Sequence, residues 1–393
     1  MTARRVAFTA IGGADWTGGR NYLINVLRAV DRFESDRVRP VLFLGEDADA
    51  SDAEPFLDMP NVEIVRSPSF NADRARKGLR NALLTGKNGG AVEAFQRSAV
   101  NVVFESATFY GWRLPLPAIA WQADFQHRRQ PHNFTKRLFW RREAGFRAQI
   151  ASGRTVMLSS EDARRDCEEF YPASIDRTTV VRFATTIAAD QLLDDPRMSV
   201  ARHGLPERFF YLPNQFWRHK NHAVVIEALS VLKRRGARII VAASGRELDP
   251  RNPTHFESLR RRIDELGVAG DFHLLGMIPR EDMISLMRTC TALLNPSLFE
   301  GWSTTVEEAR ALGVPTILSG IGVHKEQMGD AATYFDPSNP EQLADVLQAA
   351  ATAAENLPLP ARSASATDDH VRRFAADFAS VVDRAYDRFS TRR

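Results

Sequence analysis

Two α/β domains, each built on a parallel sheet, are what this chain predicts, and three observations lead there. Its 393 residues exceed one ordinary domain and suit two of roughly 180–200 residues each. Short apolar runs alternate with helix-like segments in a βαβ rhythm. The rhythm starts afresh after the Pro-containing stretch Leu192–Pro206.

In the first half Val6–Ile11 reads as a strand, Asn21–Phe33 as a helix and Val41–Leu44 as a strand. Weaker strands follow at Val62–Val65 and Val102–Phe104, then at Ala118–Trp121 and Thr155–Leu158. Asp47–Gly90, rich in charge and small residues, is expected to be loose and loop-heavy. In the second half Phe209–Leu212 is a strand, His222–Arg234 a helix, Ile239–Ala243 a strand and Pro253–Leu266 a helix. Strands at Phe272–Leu275, Ala292–Asn295, Thr316–Ser319 and Thr333–Phe335 complete the series. A closing helix near Asp369–Arg388 is placed to pack back across both halves. The expected domains are therefore 1–195, completed by 369–393, and 196–368. Such sheets take ligands at the carboxyl ends of their strands, so a cleft between two sheets is the expected site.

Composition excludes several classes. The chain is 44% hydrophobic and 26% charged, and no apolar run reaches the roughly 18–20 residues of a membrane span. Arg4 and Arg5 lead straight into the first strand without a secretory pattern. Cys167 and Cys290 fall in different predicted domains, which argues against a disulfide framework and for the cytoplasm. A net charge of +3 is unlike a strongly basic nucleic-acid binder. From Arg128 to Arg147, however, seven basic residues face one acid, Glu143. That run is either a solvated helix face or a patch for an anionic acceptor or the inner membrane surface, where each cation adds roughly 1 kcal/mol.

The chemistry is concentrated between Asn295 and Pro315. A turn carries Glu300 and Gly301, followed by Trp302, Ser303, Thr304 and Thr305, and opens a helix whose first turns hold Glu307 and Glu308. A helix start offers N–H groups and a positive dipole end to an anion, while carboxylates accept from hydroxyls. Phosphate with hydroxyls describes a nucleotide sugar. Two capping registers are open. Thr304 as N-cap makes Glu307 its capping-box partner and leaves Glu308 facing the cleft; Thr305 as N-cap spends Glu308 instead.

Upstream, Asn214 to His222 joins a strand to a helix and places Arg218 and Lys220 at a strand end, where a cation neutralises a departing diphosphate. Trp16 to Tyr22 holds Gly18 and Gly19 between the first strand and its helix, without the spacing of a dinucleotide fingerprint or a P-loop lysine. Trp121 to His127 follows a strand directly and brings Asp124 and His127 to its carboxyl end. Asp47-Ala48-Asp49 matches a metal–diphosphate clamp, but lies in an acidic loop and is read as solvated. Neither the cysteines nor the nine histidines show zinc spacing, so no metal is expected.

From Leu293 to Pro337 the chain resembles the retaining glycosyltransferases of the GT-B fold, family 4 (glycosyl transferases group 1). The resemblance rests on Pro296-Ser297, Glu300 and Glu308 seven residues apart, Gly313-Val314-Pro315, His324-Lys325-Glu326 and Phe335-Asp336-Pro337. Ser303-Thr304-Thr305 stands where the family often has Gly-Leu-Pro, a minor change because threonine can replace proline at the first helical position. It implies two Rossmann-like domains facing each other across a cleft, with the C-terminal helix crossing back to the first, acceptor domain; the second binds the donor. It implies a hexosyltransferase moving a sugar from a nucleotide diphosphate to a glycan or lipid-linked acceptor, as in bacterial surface polysaccharide or lipopolysaccharide synthesis. No cofactor and no nucleic acid are implied, and peripheral contact with the cytoplasmic face of the membrane is reasonable. Glu300 matches the sugar-contacting residue, Glu308 the ribose ligand, Lys220 the lysine of the basic pair and Asp124 the aspartate of a His-Asp pair. Gly18, Gly19 and the Gly301–Thr305 amides would approach phosphate and sugar, and base contacts would come from backbone near Gly276–Pro279. The chain departs at Gln215, in place of the second cation, and at Ala123, in place of the histidine. Arg218 and His127 are the candidates to replace them. A phosphorylase of the same fold and a non-catalytic sugar-nucleotide-binding protein are the alternatives.

Overall fold

The computed structural model describes residues 3–10, 17–106, 108–192, 194–355, 357–360, 362 and 368–391. Ile11 and Trp16 of the sequence reading lie outside them. The chain divides into two units, one comprising 1–129, 136–184 and 368–393, the other 130–135 and 185–367.

The first unit holds seven parallel strands: β1 (Arg4–Thr9), β2 (Val38–Leu44), β3 (Glu63–Arg66), β4 (Val102–Ser106), β5 (Ala118–Trp121), β6 (Thr155–Leu158) and β7 (Thr178–Val180). Their order is β3-β2-β1-β4-β5-β6-β7, with Val6 opposite both Pro40 and Val102. Successive side chains alternate across the sheet and both faces are covered. Ala7, Val41, Phe43 and Val103 pack with Phe95 of helix Gly89–Arg97. Phe8 and Phe104 instead lie 5.9 and 5.8 Å from the ring of Phe378 in helix Asp368–Ser390. That helix buries Val371, Phe374, Ala375, Phe378, Val382 and Ala385, a 3.6-residue stripe.

The second unit holds six parallel strands: β8 (Phe210–Leu212), β9 (Val241–Ala243), β10 (Phe272–Leu274), β11 (Leu293–Asn295), β12 (Thr316–Ser319) and β13 (Thr333–Phe335). They run β10-β9-β8-β11-β12-β13. Phe210, Leu212, Val241, Leu294 and Phe335 form one core with helix His222–Arg234. Tyr211, Ala242, Leu293 and Leu318 form the other, with Val306 and Ala309 of helix Thr304–Ala311. In each sheet the order reverses beside its first strand, where ligand crevices of such folds open.

Two expectations need correction. Asp47–Gly90 is not loop-heavy: it contains helix Ala72–Thr85 and the start of helix Gly89–Arg97. Helix 72–85 buries only Gly78 and Ala82, so it carries little apolar periodicity toward a core. The edge strand β7 was not expected, because its three half-buried residues Thr-Thr-Val offer too short a pattern to read.

Candidate active site

At the carboxyl end of β8 the chain turns through Arg218–Lys220 and enters helix His222–Arg234 by way of Asn221, which takes the left-handed conformation at φ 55°. The Asn221 amide donates to the carbonyls of Pro296 (3.2 Å) and Pro337 (2.9 Å), which follow β11 and β13. The Leu298 N–H donates to the His219 carbonyl at 2.7 Å. Three strand-end loops are thereby clipped together, and the clip brings Lys220 Nζ within 2.5 Å of Glu300 Oε1. Both side chains are largely buried, at 13% and 9% exposure. The Ser297 hydroxyl lies between Asn295 Oδ1 (2.6 Å) and Glu300 Oε1 (2.7 Å). Beside them His324 is fully buried; burial and the Lys220 charge lower its pKa against the opposing pull of Glu300.

The helix after Glu300 starts differently from either register. Its N-cap is Ser303, and neither Thr304 nor Thr305 caps it. Gln327 does what a capping box would have done: its Oε1 accepts from the Ser303 N–H (3.4 Å), and its Nε2 lies 2.8 Å from the Ser303 carbonyl. The same Nε2 donates to Glu307 Oε1 at 2.8 Å, and Glu307 also pairs with Arg310 and bonds Trp302. Burial raises the Glu307 carboxyl to about 7 even so. Glu308, 5% exposed, is held by Arg280 at 2.8 Å. Arg280 opens helix Arg280–Thr289 just past Pro279. Arg280 and Gln327 carried no sequence signal beyond Arg280's place at a helix start, which the dipole disfavours for a cation.

Gln215 is spoken for. Its Oε1 accepts from the Arg246 N–H at 2.8 Å, tying the β8 loop to the β9 loop. Gly245 permits this close approach: at φ +153° a Cβ there would meet the Asn214 carbonyl at 2.4 Å. Its N–H donates to the carbonyl of Gly276, φ +64°. Arg218 is exposed and makes no ion pair among the described residues. Arg251 is bound to Asp249 at 3.2 Å and lies over the Trp217 and Phe134 rings.

The remaining expected residues belong to the first unit. Gly18 and Gly19 lie inside the first turn of helix Thr17–Phe33. Asp124 accepts from the Gln126 N–H (2.8 Å) and from Arg142 (2.6 Å). Burial opposes its ionisation, but the Arg142 charge prevails and its pKa is lowered. His127 corrects the reading of it as a presented imidazole. It is 0% exposed, 3.2 Å from Glu143 and packed among Phe139, Phe146 and Tyr171, so burial lowers its pKa to about 4 and keeps it neutral. A helical i, i+4 neighbourhood hid this, because Phe139, Glu143 and Phe146 come from the following helix Lys136–Ala151. That helix also changes the basic run. Arg128 and Arg147 pair with Glu143, Arg129 with Asp166 and Glu169, and Arg142 with Asp124. Asp47 Oδ2 accepts from the N–H of Ala72, at the start of helix 72–85. Among the described residues no group of three or more His, Cys, Asp or Glu could hold a metal ion.

Two parallel-sheet α/β domains, with ligand-type side chains at the carboxyl ends of the second sheet, define a GT-B fold. Residues 199–359 match the family model for Glycosyl transferases group 1, so this stretch is a domain of that type. The chain is 28% identical over 129 residues to mannosylfructose-phosphate synthase of Agrobacterium fabrum, covering 32% of this chain and 28% of that protein. It is 32% identical over 80 residues to O-antigen chain mannosyltransferase B of Escherichia coli, covering 20% and 21%. The match thus spans about a quarter of the length of these relatives. Among solved structures, Anabaena HepE in complex with UDP superposes with a TM-score of 0.60 at 15% identity, over 100% of this chain and 99% of that one. No helix among the described residues is long and apolar enough to cross a membrane.

Proposed function

We propose that this protein is a glycosyltransferase of family 4 that moves a sugar from a nucleotide diphosphate to a glycan or lipid-linked acceptor, with retention and without a metal. The observation that carries this reading is the Lys220–Glu300 pair at the carboxyl ends of β8 and β11, beside the N-terminus of helix 304–311. Lys220, the exposed Arg218 and the helix amides would stabilise the diphosphate as the glycosyl bond breaks. Glu300, released from Lys220 or bridged to it through the ligand, would orient the sugar by accepting from its hydroxyls. Glu308, steadied by Arg280, would take the ribose hydroxyls. The backbone near Gly276–Pro279 would meet the base. With no enzyme nucleophile evident, the acceptor attacks on the face the diphosphate leaves. The two mannosyl-handling relatives and the UDP complex of HepE support the donor class. The O-antigen relative favours surface polysaccharide synthesis.

A thermal-shift screen against nucleoside diphosphates and their sugar conjugates tests this. A ligand at 100 times its Kd adds about 2.7 kcal/mol, and the shift is expected with one nucleotide and to vanish in Glu308→Ala. A shift with phosphate or sugar phosphates alone would establish a phosphorylase instead. Donor binding without turnover on any acceptor pool would establish a non-catalytic binder.

A further inference from the structure

Many arginines among the described residues are held in ion pairs, but those of helix 72–85 are not. Helix Ala72–Thr85 and the turn after it carry Arg74, Arg76, Lys77, Arg80 and Lys87 against one acid, Asp73, and none of these five cations makes an ion pair among the described residues. The same helix exposes Leu79 (46%), Leu83 (49%) and Leu84 (74%). At 100° per residue the buried Gly78 and Ala82 define the inner side, and Leu79, Leu83, Arg76, Arg80, Asp73, Leu84 and Lys77 follow one another around the outer side, four apolar or basic residues before the one acid and two after it. The patch continues beyond the helix. Gly86 ends it at φ +87°, and a Cβ there would meet Trp112 Nε1 at 2.8 Å and Arg113 Cδ at 2.9 Å. The Arg113 N–H donates to the Gly86 carbonyl (2.7 Å), and Arg154 holds the Gly111 carbonyl (2.7 Å). Trp112, 49% exposed, and Arg113 are therefore fixed beside the leucines.

We propose that this face seats the first unit on an anionic lipid bilayer, with Leu83, Leu84 and Trp112 entering the interface and Arg76, Lys77, Arg80, Lys87 and Arg113 meeting lipid phosphates. Leucines, a tryptophan and unpaired cations on one exposed face match the chemistry of an acyl boundary under charged headgroups. A cavity of about 370 Å³ adjoins it, opening at the carboxyl ends of β1 and β2 and walled by Ala72, Ala75 and Leu79 of the same helix. Its polar lining includes Thr9, Ser69, Asn88 and Thr108 together with the carboxylates Asp47, Asp49 and Asp52, which suit the hydroxyls of a sugar rather than a phosphate. On the transferase reading, a lipid-linked acceptor held in the bilayer would present its polar head to this cavity. The basic run Arg128–Arg147 is the weaker surface, since only Lys136, Arg137 and Arg141 of its seven cations have no ion pair among the described residues.

Flotation of the full chain with vesicles tests the proposal, using phosphatidylcholine alone and phosphatidylcholine mixed two to one with phosphatidylglycerol. The protein is expected to float with the anionic mixture only, and less as salt rises. Arg76→Gln/Arg80→Gln should lower partitioning about 30-fold, which is about 1 kcal/mol for each cation removed. Leu83→Ser/Leu84→Ser should lower it at least tenfold at unchanged melting temperature, and Arg137→Gln/Arg141→Gln should leave it as it was. Failure of the wild type to float would overturn the proposal, as would a loss confined to the Arg137/Arg141 variant. Self-association abolished by Leu83→Ser/Leu84→Ser without any flotation would give the face to a second copy instead. None of these readings requires turnover, and the nucleotide-induced thermal shift of the same proteins tests the transferase reading separately.

Discussion

Glu307 and Glu308 stand side by side in sequence and are held by different partners. Glu308 is gripped by Arg280, whereas Glu307 is enclosed by Gln327, Trp302 and Arg310 and stays hard to ionise. Burial raises its carboxyl from 4.5 to about 7, so between those values the folded protein keeps a proton that the unfolded chain has released. Stability from this group is full below about pH 4.5, falls as pH rises to 7 and is level beyond it. Glu307→Gln is expected to remove that fall. Melting curves from pH 5 to 8 should show the wild type losing roughly 3 kcal/mol relative to the variant, since a tenfold change in proton affinity is worth about 1.36 kcal/mol. Parallel curves for the two proteins would refute the assignment. The carboxylates themselves were legible in sequence, because turn and helix chemistry are local. Their partners were not: Arg280 and Gln327 reach them from two other helices, Arg280–Thr289 and Gly322–Met328.

At the scale of elements, the legible pieces are those with a strong local period. The strands of the second sheet were all read, since each is a short apolar run ended by turn residues. Helix 368–390 was read for the same reason, and its Phe378 stands between Phe8 and Phe104 on the first sheet. Phe378→Ala should therefore cost about 3–5 kcal/mol, read as a lowered urea midpoint of the first unit. A loss under about 1 kcal/mol, well below that range, would mean that the helix is not part of that core. Helix 72–85 escaped because its leucines point outward: a pattern-based reading assumes that apolar residues face a core.

At the scale of the molecule, each unit has its own sheet and its own two-sided core. A nucleotide bound by Lys220, Glu300 and Glu308 would stabilise the second unit selectively. Calorimetry is expected to resolve two transitions, only one of which rises with nucleotide. If both rise equally, binding draws on the two units alike. The chain by itself determined two parallel α/β sheets, most of the strands in their succession along the chain, and a carboxylate-bearing turn at a helix start, while the order of strands within each sheet came from the structure. Those follow from periodicity, turn residues and the right-handed crossover, all properties of neighbours in sequence. Only the tertiary structure decided which charges are neutralised. Lys220 and Glu300 are 80 residues apart, Arg142 and Asp124 are 18 apart, and the acids that quiet the Arg128–Arg147 run come partly from the helix Glu161–Phe170. An ion pair depends on where two distant segments come to rest, and that is set by packing the sheets rather than by either segment's own sequence.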